Sequence, residues 1–292
     1  MISLQIKHIE QKLKNNMLII NIFAILLFVI LYLFFCIFLF HPKLIYQPEI
    51  RPSNKDFEYF VEGTEQIKIK TADEIELDIF ILNNNSDIDL IYLHGQSINL
   101  EIQKNKCKLL SDNFNCNVIM PFYRQYLYNG GHAGEVELML DIEGMSRYIV
   151  ENRNKNKLII FGTSLGCATA NYLATILPQN YQFLVILENP FINLNYMAND
   201  RMGKLYWIKF LLTEEWPNDQ RVKYLKNQKI PTMFIVSNKD ETIKNYHSMH
   251  LIKMMGDTAC SYVIMEEATH TNAFTYDGFY IEILKFINKY FD

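Results

Sequence analysis

The sequence context of one serine, which has a glycine two residues before it and another two residues after it, is typical of a catalytic nucleophile. Residues 162–166 read GTSLG, which is the pattern G-x-S-x-G, and they follow the apolar run 158–161. Between a strand and a helix, this pattern presents the serine hydroxyl on a sharp turn, and the glycines remove Cβ atoms that would clash there. We therefore predict that Ser164 is a nucleophile. The alternative is an ordinary glycine-rich turn with an incidental serine.

A serine hydroxyl is a weak nucleophile at neutral pH, so it needs a base and a group that orients the base. With this motif, an acid and then a histidine follow the serine along the chain. Three histidines follow Ser164, and His270 lies just after a strand-like run and before the closing helix. We predict His270 as the base. The acid belongs in the loop after the strand-like run 232–236, where Asp240 is the first choice and Glu241 the alternative.

Acyl transfer also needs two backbone N–H groups aimed at the developing negative charge. Leu165 directly follows the nucleophile and supplies the first predicted N–H group. The second is expected from the loop after the strand-like run 88–93, which reads HGQS, and Gln96 is the candidate. His94 in the same loop is expected to shape the loop and not to transfer protons.

Metal and cofactor chemistry is not expected. His247 and His250 have a spacing that brings two side chains to one helix face, but no third ligand is apparent, and a structural zinc ion needs about four. The five cysteines are scattered and form no CxxC motif, which argues against a zinc site or a disulfide framework. The net charge of −4 and the absence of a basic run argue against nucleic acid as a partner.

Strand-like runs alternate with helical patterns from about residue 65 onward. This alternation predicts an α/β fold with a mostly parallel sheet and helices on both faces. Segment 191–228 interrupts the alternation and is predicted to be a small cap over the carboxyl edge of the sheet, with ordinary surface helices as the alternative. The apolar residues around Trp207 are expected to line the pocket, unless they form the buried side of a cap helix.

An uncharged apolar run covers residues 17–40. A helix of roughly 20 apolar residues spans a bilayer, whereas a cleaved signal peptide has an apolar region of about 7–15 residues and a small-residue cleavage site. We therefore predict a tail at 1–16, a transmembrane anchor at 17–40, a juxtamembrane linker at 41–64 and one catalytic domain at 65–292.

Basic residues on the two sides of the predicted anchor are nearly balanced. They are Lys7, Lys12 and Lys14 before it, and Lys43, Arg51 and Lys55 after it. The pair Lys12 and Lys14 lies close to the anchor and favours a cytoplasmic N-terminus with a lumenal domain. The glycosylation pattern that starts at Asn84 is compatible with that side. We predict a single-pass protein of an endomembrane or the plasma membrane.

Further motifs resemble the membrane-anchored α/β-hydrolase-domain proteins of the bud-emergence type, over roughly residues 65–290. The matching segments are Tyr123-Arg124, the LENPF stretch 187–191, the acid loop 237–241 and the histidine loop 269–272. The resemblance implies an α/β-hydrolase fold and a single hydrophobic anchor. Gln125, Leu127 and Ile98 stand where that family has glycine.

Two functional hypotheses follow. The first is a membrane-anchored serine hydrolase of acyl esters or thioesters, acting on membrane lipids or lipidated proteins, because the anchor confines the site near the bilayer. Some membrane-associated relatives remove fatty acyl groups from protein cysteines, and this resemblance points the same way. The second is a catalytically inactive scaffold, which the changed glycines motivate. A preference for medium or long acyl chains is expected under the first hypothesis.

Overall fold

The computed structural model describes residues 2–40, 42–48, 52–153, 157–178, 180–257 and 259–291. Within these ranges, eight strands form one sheet in the order β1-β2-β4-β3-β5-β6-β7-β8. The strands are β1 (Glu65–Lys70), β2 (Glu76–Leu82), β3 (Ile88–Leu93), β4 (Asn117–Pro121), β5 (Lys157–Thr163), β6 (Phe183–Glu188), β7 (Thr232–Ser237) and β8 (Cys260–Met265). Strand β2 pairs antiparallel with β1 and β4, and the strands from β3 to β8 run parallel.

Helices cover the sheet and extend before it. They are α1 (Ile2–Phe40), α2 (Pro42–Ile45), α3 (Asn54–Val61), α4 (Leu100–Phe114), α5 (Glu135–Asn152), α6 (Leu165–Ile176), α7 (Leu194–Met202), α8 (Asn218–Asn227), α9 (Tyr246–Met255) and α10 (Asp277–Phe291). The central strands β6 and β7 are buried along their whole length, as expected when helices cover both faces of a parallel sheet. The predicted α/β-hydrolase fold is confirmed.

Helix α1 carries the apolar run. It extends over Ile2–Phe40 and therefore begins well before the predicted anchor, so the described part of the predicted tail is helical. Its segment Gln11–Cys36 has a mean hydropathy of 3.0 and lies outside the packed interior. By length and composition this segment is able to cross a membrane.

The predicted linker at 41–64 is folded onto the domain in its described parts, which is a correction to the sequence prediction. It contains α2 and α3, while residues 41 and 49–51 lie outside the described residues. The ring of Phe60 packs edge-on against Phe80 and Phe122, with centroid distances of 4.8 and 5.3 Å. Burial of these rings outweighs the turn-forming prolines that suggested a linker.

The predicted cap is smaller than expected. Trp216 is fully buried, and α8 packs against α6, so the end of segment 191–228 belongs to the helical layer of the domain. Helix α7 and a 3-10 helix at Gly203–Leu211 form the remaining cap. Trp207 and Phe210 are 61% and 66% exposed, and both contact Phe34 of α1 with centroid distances of 5.9 and 6.2 Å. Neither expected role, pocket lining or a buried helix face, holds for these two residues.

Candidate active site

Ser164 lies on a strained turn between β5 and α6. Its backbone has φ 56° and ψ −119°, in a region that side chains other than glycine rarely adopt. A Cβ atom at Gly162 would overlap the carbonyl group of Gly166, and one at Gly166 would overlap the carbonyl groups of Leu93 and His94. Both glycines of the motif are therefore required by close backbone approaches, and the turn brings Ser164 to the carboxyl edge of the sheet.

Asp240 and His270 meet Ser164 at this edge. His270 Nε2 lies 3.0 Å from Ser164 Oγ, and His270 Nδ1 lies 2.7 Å from Asp240 Oδ2. A carboxylate oxygen accepts hydrogen bonds, so Nδ1 carries the proton and Nε2 is able to accept one from the serine hydroxyl. Glu241, the alternative acid, receives the backbone N–H of His270 at 3.4 Å and not its ring. The structure thus brings the three predicted side chains together.

Backbone and side-chain hydrogen bonds hold the two partner loops. Asp240 Oδ1 accepts the N–H groups of Thr242 and Ile243, both at 2.7 Å. Asn189 Nδ2 donates to the carbonyl oxygen of His270 at 3.2 Å and to Ser237 Oγ at 3.0 Å. Asn189 therefore connects the histidine loop to the end of β7. Sequence reasoning did not assign this role, although the LENPF stretch contains the residue.

The loop that holds Gln96 lies directly beside Ser164. A Cβ atom at Gly95 would lie 3.4 Å from Ser164 Cβ, and Gln96, Ser164 and Leu165 line one small cavity of about 50 Å³. Tyr126 Oη donates to the carbonyl oxygen of Gln96 at 2.7 Å and holds the loop in place. Gln96 and Leu165 are thus close to the nucleophile, and their role as oxyanion donors stays a prediction.

His94 is buried beneath this loop. Its Nδ1–H donates to the carbonyl oxygen of Gly95 at 2.7 Å, and its ring lies against Tyr123 and Tyr126, with centroid distances of 4.2 and 4.9 Å. Burial lowers the pKa of His94 to about 4, so the ring is neutral at physiological pH. A neutral, packed imidazole suits a residue that shapes the loop.

The turn that follows Tyr123 holds two residues with side chains in a backbone conformation that glycine favours. Gln125 has φ 69° and Leu127 has φ 53°, so both occupy the left-handed region that glycine prefers. Gln125 Oε1 accepts the backbone N–H of Ala133 at 2.7 Å, and the side chain of Leu127 is fully buried. Gln125 and Leu127, two of the three residues that motivated the scaffold hypothesis, therefore adopt the conformation that glycine favours.

A polar cavity of about 450 Å³ opens beside Ser164 and His270. Lys106 and Glu188 form an ion pair in its wall, with side chains 4% and 1% exposed. Thr163 Oγ1 joins the pair, 3.1 Å from Lys106 Nζ and 2.7 Å from Glu188 Oε2. Burial disfavours the charged form of Lys106, but the adjacent Glu188 carboxylate outweighs it and raises the pKa of the ammonium group above its ordinary value.

The two helical histidines have structural contacts. His247 is fully buried, its Nδ1 accepts the backbone N–H of Ile192 at 3.3 Å, and its Nε2 lies 3.4 Å from Asp200 Oδ2. His250 is exposed on the same helix. Over the described ranges of the chain, no group of three or more metal-ligating side chains is found.

The segment that contains Ser164, Asp240 and His270 also matches a known protein family. Residues 134–292, more than half of the chain, match the prolyl oligopeptidase family. The chain belongs to the prolyl oligopeptidase family. The part of this prolyl oligopeptidase-family chain that matches contains Ser164, Asp240 and His270.

Individual relatives of this prolyl oligopeptidase-family chain agree with the resemblance seen in its motifs. The chain is 26% identical to protein bem46 of Schizosaccharomyces pombe over 247 residues, which cover 81% of this chain and 79% of that protein. It is 24% identical to the membrane protein YNL320W of Saccharomyces cerevisiae over 229 residues, 76% of this chain and 79% of that protein. The resemblance to bud-emergence-type proteins is thereby confirmed.

A solved structure supports the same fold. The Pyrococcus furiosus esterase Pf2001 matches with a TM-score of 0.67 and 17% sequence identity, covering 85% of this chain and 99% of that chain. At this identity the match shows a shared α/β-hydrolase architecture.

Proposed function

We propose that the protein is a membrane-anchored serine hydrolase that cleaves acyl ester or thioester bonds of lipids or lipidated proteins. The observation that carries the proposal is the chain of contacts from Ser164 Oγ to His270 Nε2 at 3.0 Å and from His270 Nδ1 to Asp240 Oδ2 at 2.7 Å. A nucleophile within reach of a base, and a base oriented by a third group, is the arrangement that activates a serine.

In the proposed reaction, Ser164 Oγ attacks the carbonyl carbon of the substrate while His270 Nε2 takes the hydroxyl proton. Asp240 stabilises the imidazolium that forms. The N–H groups of Gln96 and Leu165 are the proposed donors to the oxyanion. His270 then gives its proton to the leaving oxygen or sulfur, which leaves an acyl-serine. A water molecule then gives a proton to His270 Nε2 and attacks the acyl carbon. The bond from that carbon to Ser164 Oγ breaks, the acid leaves, and His270 returns the proton to Ser164 Oγ.

The proposed membrane location rests on α1 and on the short path from α1 to the domain. Its apolar segment Gln11–Cys36 is long enough to span a bilayer, and a relative, YNL320W, is a membrane protein. Segment 42–48 packs on the domain directly after α1, so the active site stays near the bilayer surface. Acyl groups of lipids and lipidated proteins are met there at high effective concentration. The proposed orientation places the domain on the lumenal side.

The experiment for this proposal is labelling of the full-length protein, in detergent micelles, with a fluorophosphonate probe. Wild type is expected to label, and Ser164→Ala is expected not to label. Hydrolysis of p-nitrophenyl esters from acetyl to palmitoyl then tests the substrate class, with activity rising from short to longer chains. An unlabelled but folded wild type would support the inactive scaffold, and a clear preference for acetyl esters would leave a small-ester hydrolase.

A further inference from the structure

Two spaces of different chemistry meet at Ser164. The polar cavity of about 450 Å³ is bordered by His270 and by the ion pair of Lys106 and Glu188. Ser164 also borders the small cavity, which Leu165 lines and which adjoins a third cavity of about 370 Å³. The small and third cavities have common walls, formed by Ile45, Gln96, Leu194, Met197 and Arg201.

The position of His270 assigns a role to each side. His270 gives its proton to the leaving group, so the leaving group must lie on the side that His270 borders, which is the polar cavity. The acyl part of an acyl-serine is then assigned to the small cavity, which Leu165 lines and His270 does not. The small cavity adjoins the third cavity, whose walls include Leu44, Ala198, Met202 and Leu212. A cavity of about 370 Å³ lies within the size range of small-ligand sites, roughly 300–1,000 Å³.

One wall of the third cavity comes from the segment between α1 and α3, which the sequence analysis assigned to a linker. Leu44 and Ile45 belong to α2, which directly follows α1, and Gln47 borders the same space. This segment is tied to the loop beside the nucleophile: Gln96 Nε2 donates to the carbonyl oxygen of Leu44 at 3.2 Å, and the Gln47 N–H donates to the carbonyl oxygen of Gln96 at 3.4 Å.

The same segment is fastened to the end of the cap region. Tyr46 is buried, its hydroxyl donates to Glu214, and it accepts the Nε1–H group of Trp216 at 2.8 Å. Leu44, in contrast, is 74% exposed and lies at the outer end of the cavity next to α1. The wall is therefore held in position at its inner end and faces the surroundings of α1 at its outer end.

We infer that residues 44–47, together with α7, form the acyl-binding pocket, so that the fatty acyl chain of the substrate lies between the juxtamembrane segment and the cap. This inference rests on the proposed function. The occupant is an acyl chain of medium length, because the walls of the third cavity are mostly apolar and the small cavity joins it to Ser164. Its outer end at Leu44 is next to α1, which suits entry of the chain from the bilayer. Chain-length selection is thereby a property of the segment that follows α1.

The test fills the pocket in the full-length protein and measures turnover of octanoyl and butyryl p-nitrophenyl esters. Ile45→Trp and Met197→Trp are expected to lower the octanoyl-to-butyryl ratio of kcat/KM by about tenfold, because the buried methylene groups lose their space. Rates are expressed per active site, counted by fluorophosphonate labelling. Leu44→Glu repeats the test at an exposed position, where the substitution is not expected to disturb folding. Ile281→Trp, on the exposed face of α10, is the matched control and should keep the wild-type ratio.

The outcomes separate the inference from the proposed function. A wild-type ratio in Ile45→Trp, Met197→Trp and Leu44→Glu, with labelling intact, would overturn the acyl pocket and leave the hydrolase. Loss of labelling and of ester hydrolysis in the wild type itself would instead overturn the proposed function.

Discussion

Lys106 and Glu188 form a buried ion pair next to the backbone that holds the proposed nucleophile. The carbonyl oxygen of Glu188 accepts the N–H of Ser164 at 2.9 Å, and its carboxylate binds both Lys106 and Thr163. The rings of Tyr92 and Phe161 lie 5.1 and 5.3 Å from Lys106 Nζ. Because both side chains are almost fully buried beside aromatic rings, each charge needs the other to stabilise it in the interior.

We expect removal of one partner to cost far more stability than removal of both. Lys106→Met and Glu188→Leu should each lower the free energy of unfolding by about 3–5 kcal/mol, because each change leaves an uncompensated charged group in the interior. The double variant Lys106→Met/Glu188→Leu should recover a large part of that loss. Denaturant unfolding of the four proteins measures the coupling. Single losses that simply add in the double variant would contradict the mutual dependence.

The assignment of the acid is tested by a pair of neighbouring carboxylates. Asp240→Asn should lower kcat/KM by roughly 10⁴-fold, because the amide no longer stabilises the imidazolium and favours the wrong tautomer of His270. Glu241→Gln, one residue further on, is the matched control and should retain most of the activity, since Glu241 reaches only the backbone of His270. Comparable losses in both variants would refute Asp240 as the acid. Ser164→Ala and His270→Ala set the floor for the same ester assay.

Acid should destabilise the protein through His94. Its pKa is lowered by burial from the ordinary 6.5 to about 4, so between these values the unfolded chain binds a proton that the folded chain does not. The stabilising contribution is complete above pH 6.5 and is lost as the pH falls toward 4, by on the order of 3 kcal/mol. Burial also lowers the pKa of His247, which acts with the same sign.

Denaturant unfolding at pH 7.5, 6 and 5 measures this effect. His94→Gln should be less stable than wild type at pH 7.5 but should lose less stability on acidification. His132→Gln, at an exposed position, should follow the wild-type curve. A His94→Gln curve parallel to that of the wild type would assign the acid sensitivity to other groups.

The proposed lumenal orientation is tested by glycosylation at Asn84. Asn84 is exposed in the loop after β2, and its Nδ2 donates to the carbonyl oxygen of Ser111 at 3.2 Å. In microsomes, a lumenal domain should resist added protease and should show a glycosidase-sensitive mass that Asn84→Gln removes. Digestion of the domain in intact microsomes would contradict the lumenal orientation.

Strand positions were predictable because the sheet is built from apolar runs with clear ends. Strand β3 has the same bounds as the strand-like run 88–93 in the sequence. Parallel strands then place their following loops at one edge, so the order of Ser164, Asp240 and His270 along the chain is enough to predict that they meet.

The features that escaped sequence reasoning depend on contacts between distant segments. Lys106 lies among polar residues of α4 and has the pattern of a solvated lysine, and only the folded chain places it against Glu188. The segment around Tyr46 has prolines and mixed charges, and its burial depends on Trp216, far along the chain. Neither contact can be predicted from the residues that are neighbours in the sequence.

The turn at 125–127 has the backbone shape that glycine favours, although residues with side chains occupy it. The left-handed conformation costs a residue with a side chain roughly 1–2 kcal/mol. At Leu127 a fully buried side chain regains roughly 1.5–3 kcal/mol, and at Gln125 the amide oxygen gains a backbone donor. Strain in the main chain is thus balanced by new side-chain contacts within the same turn. A sequence search that requires glycine at positions 125 and 127 would therefore miss chains that have the same turn conformation.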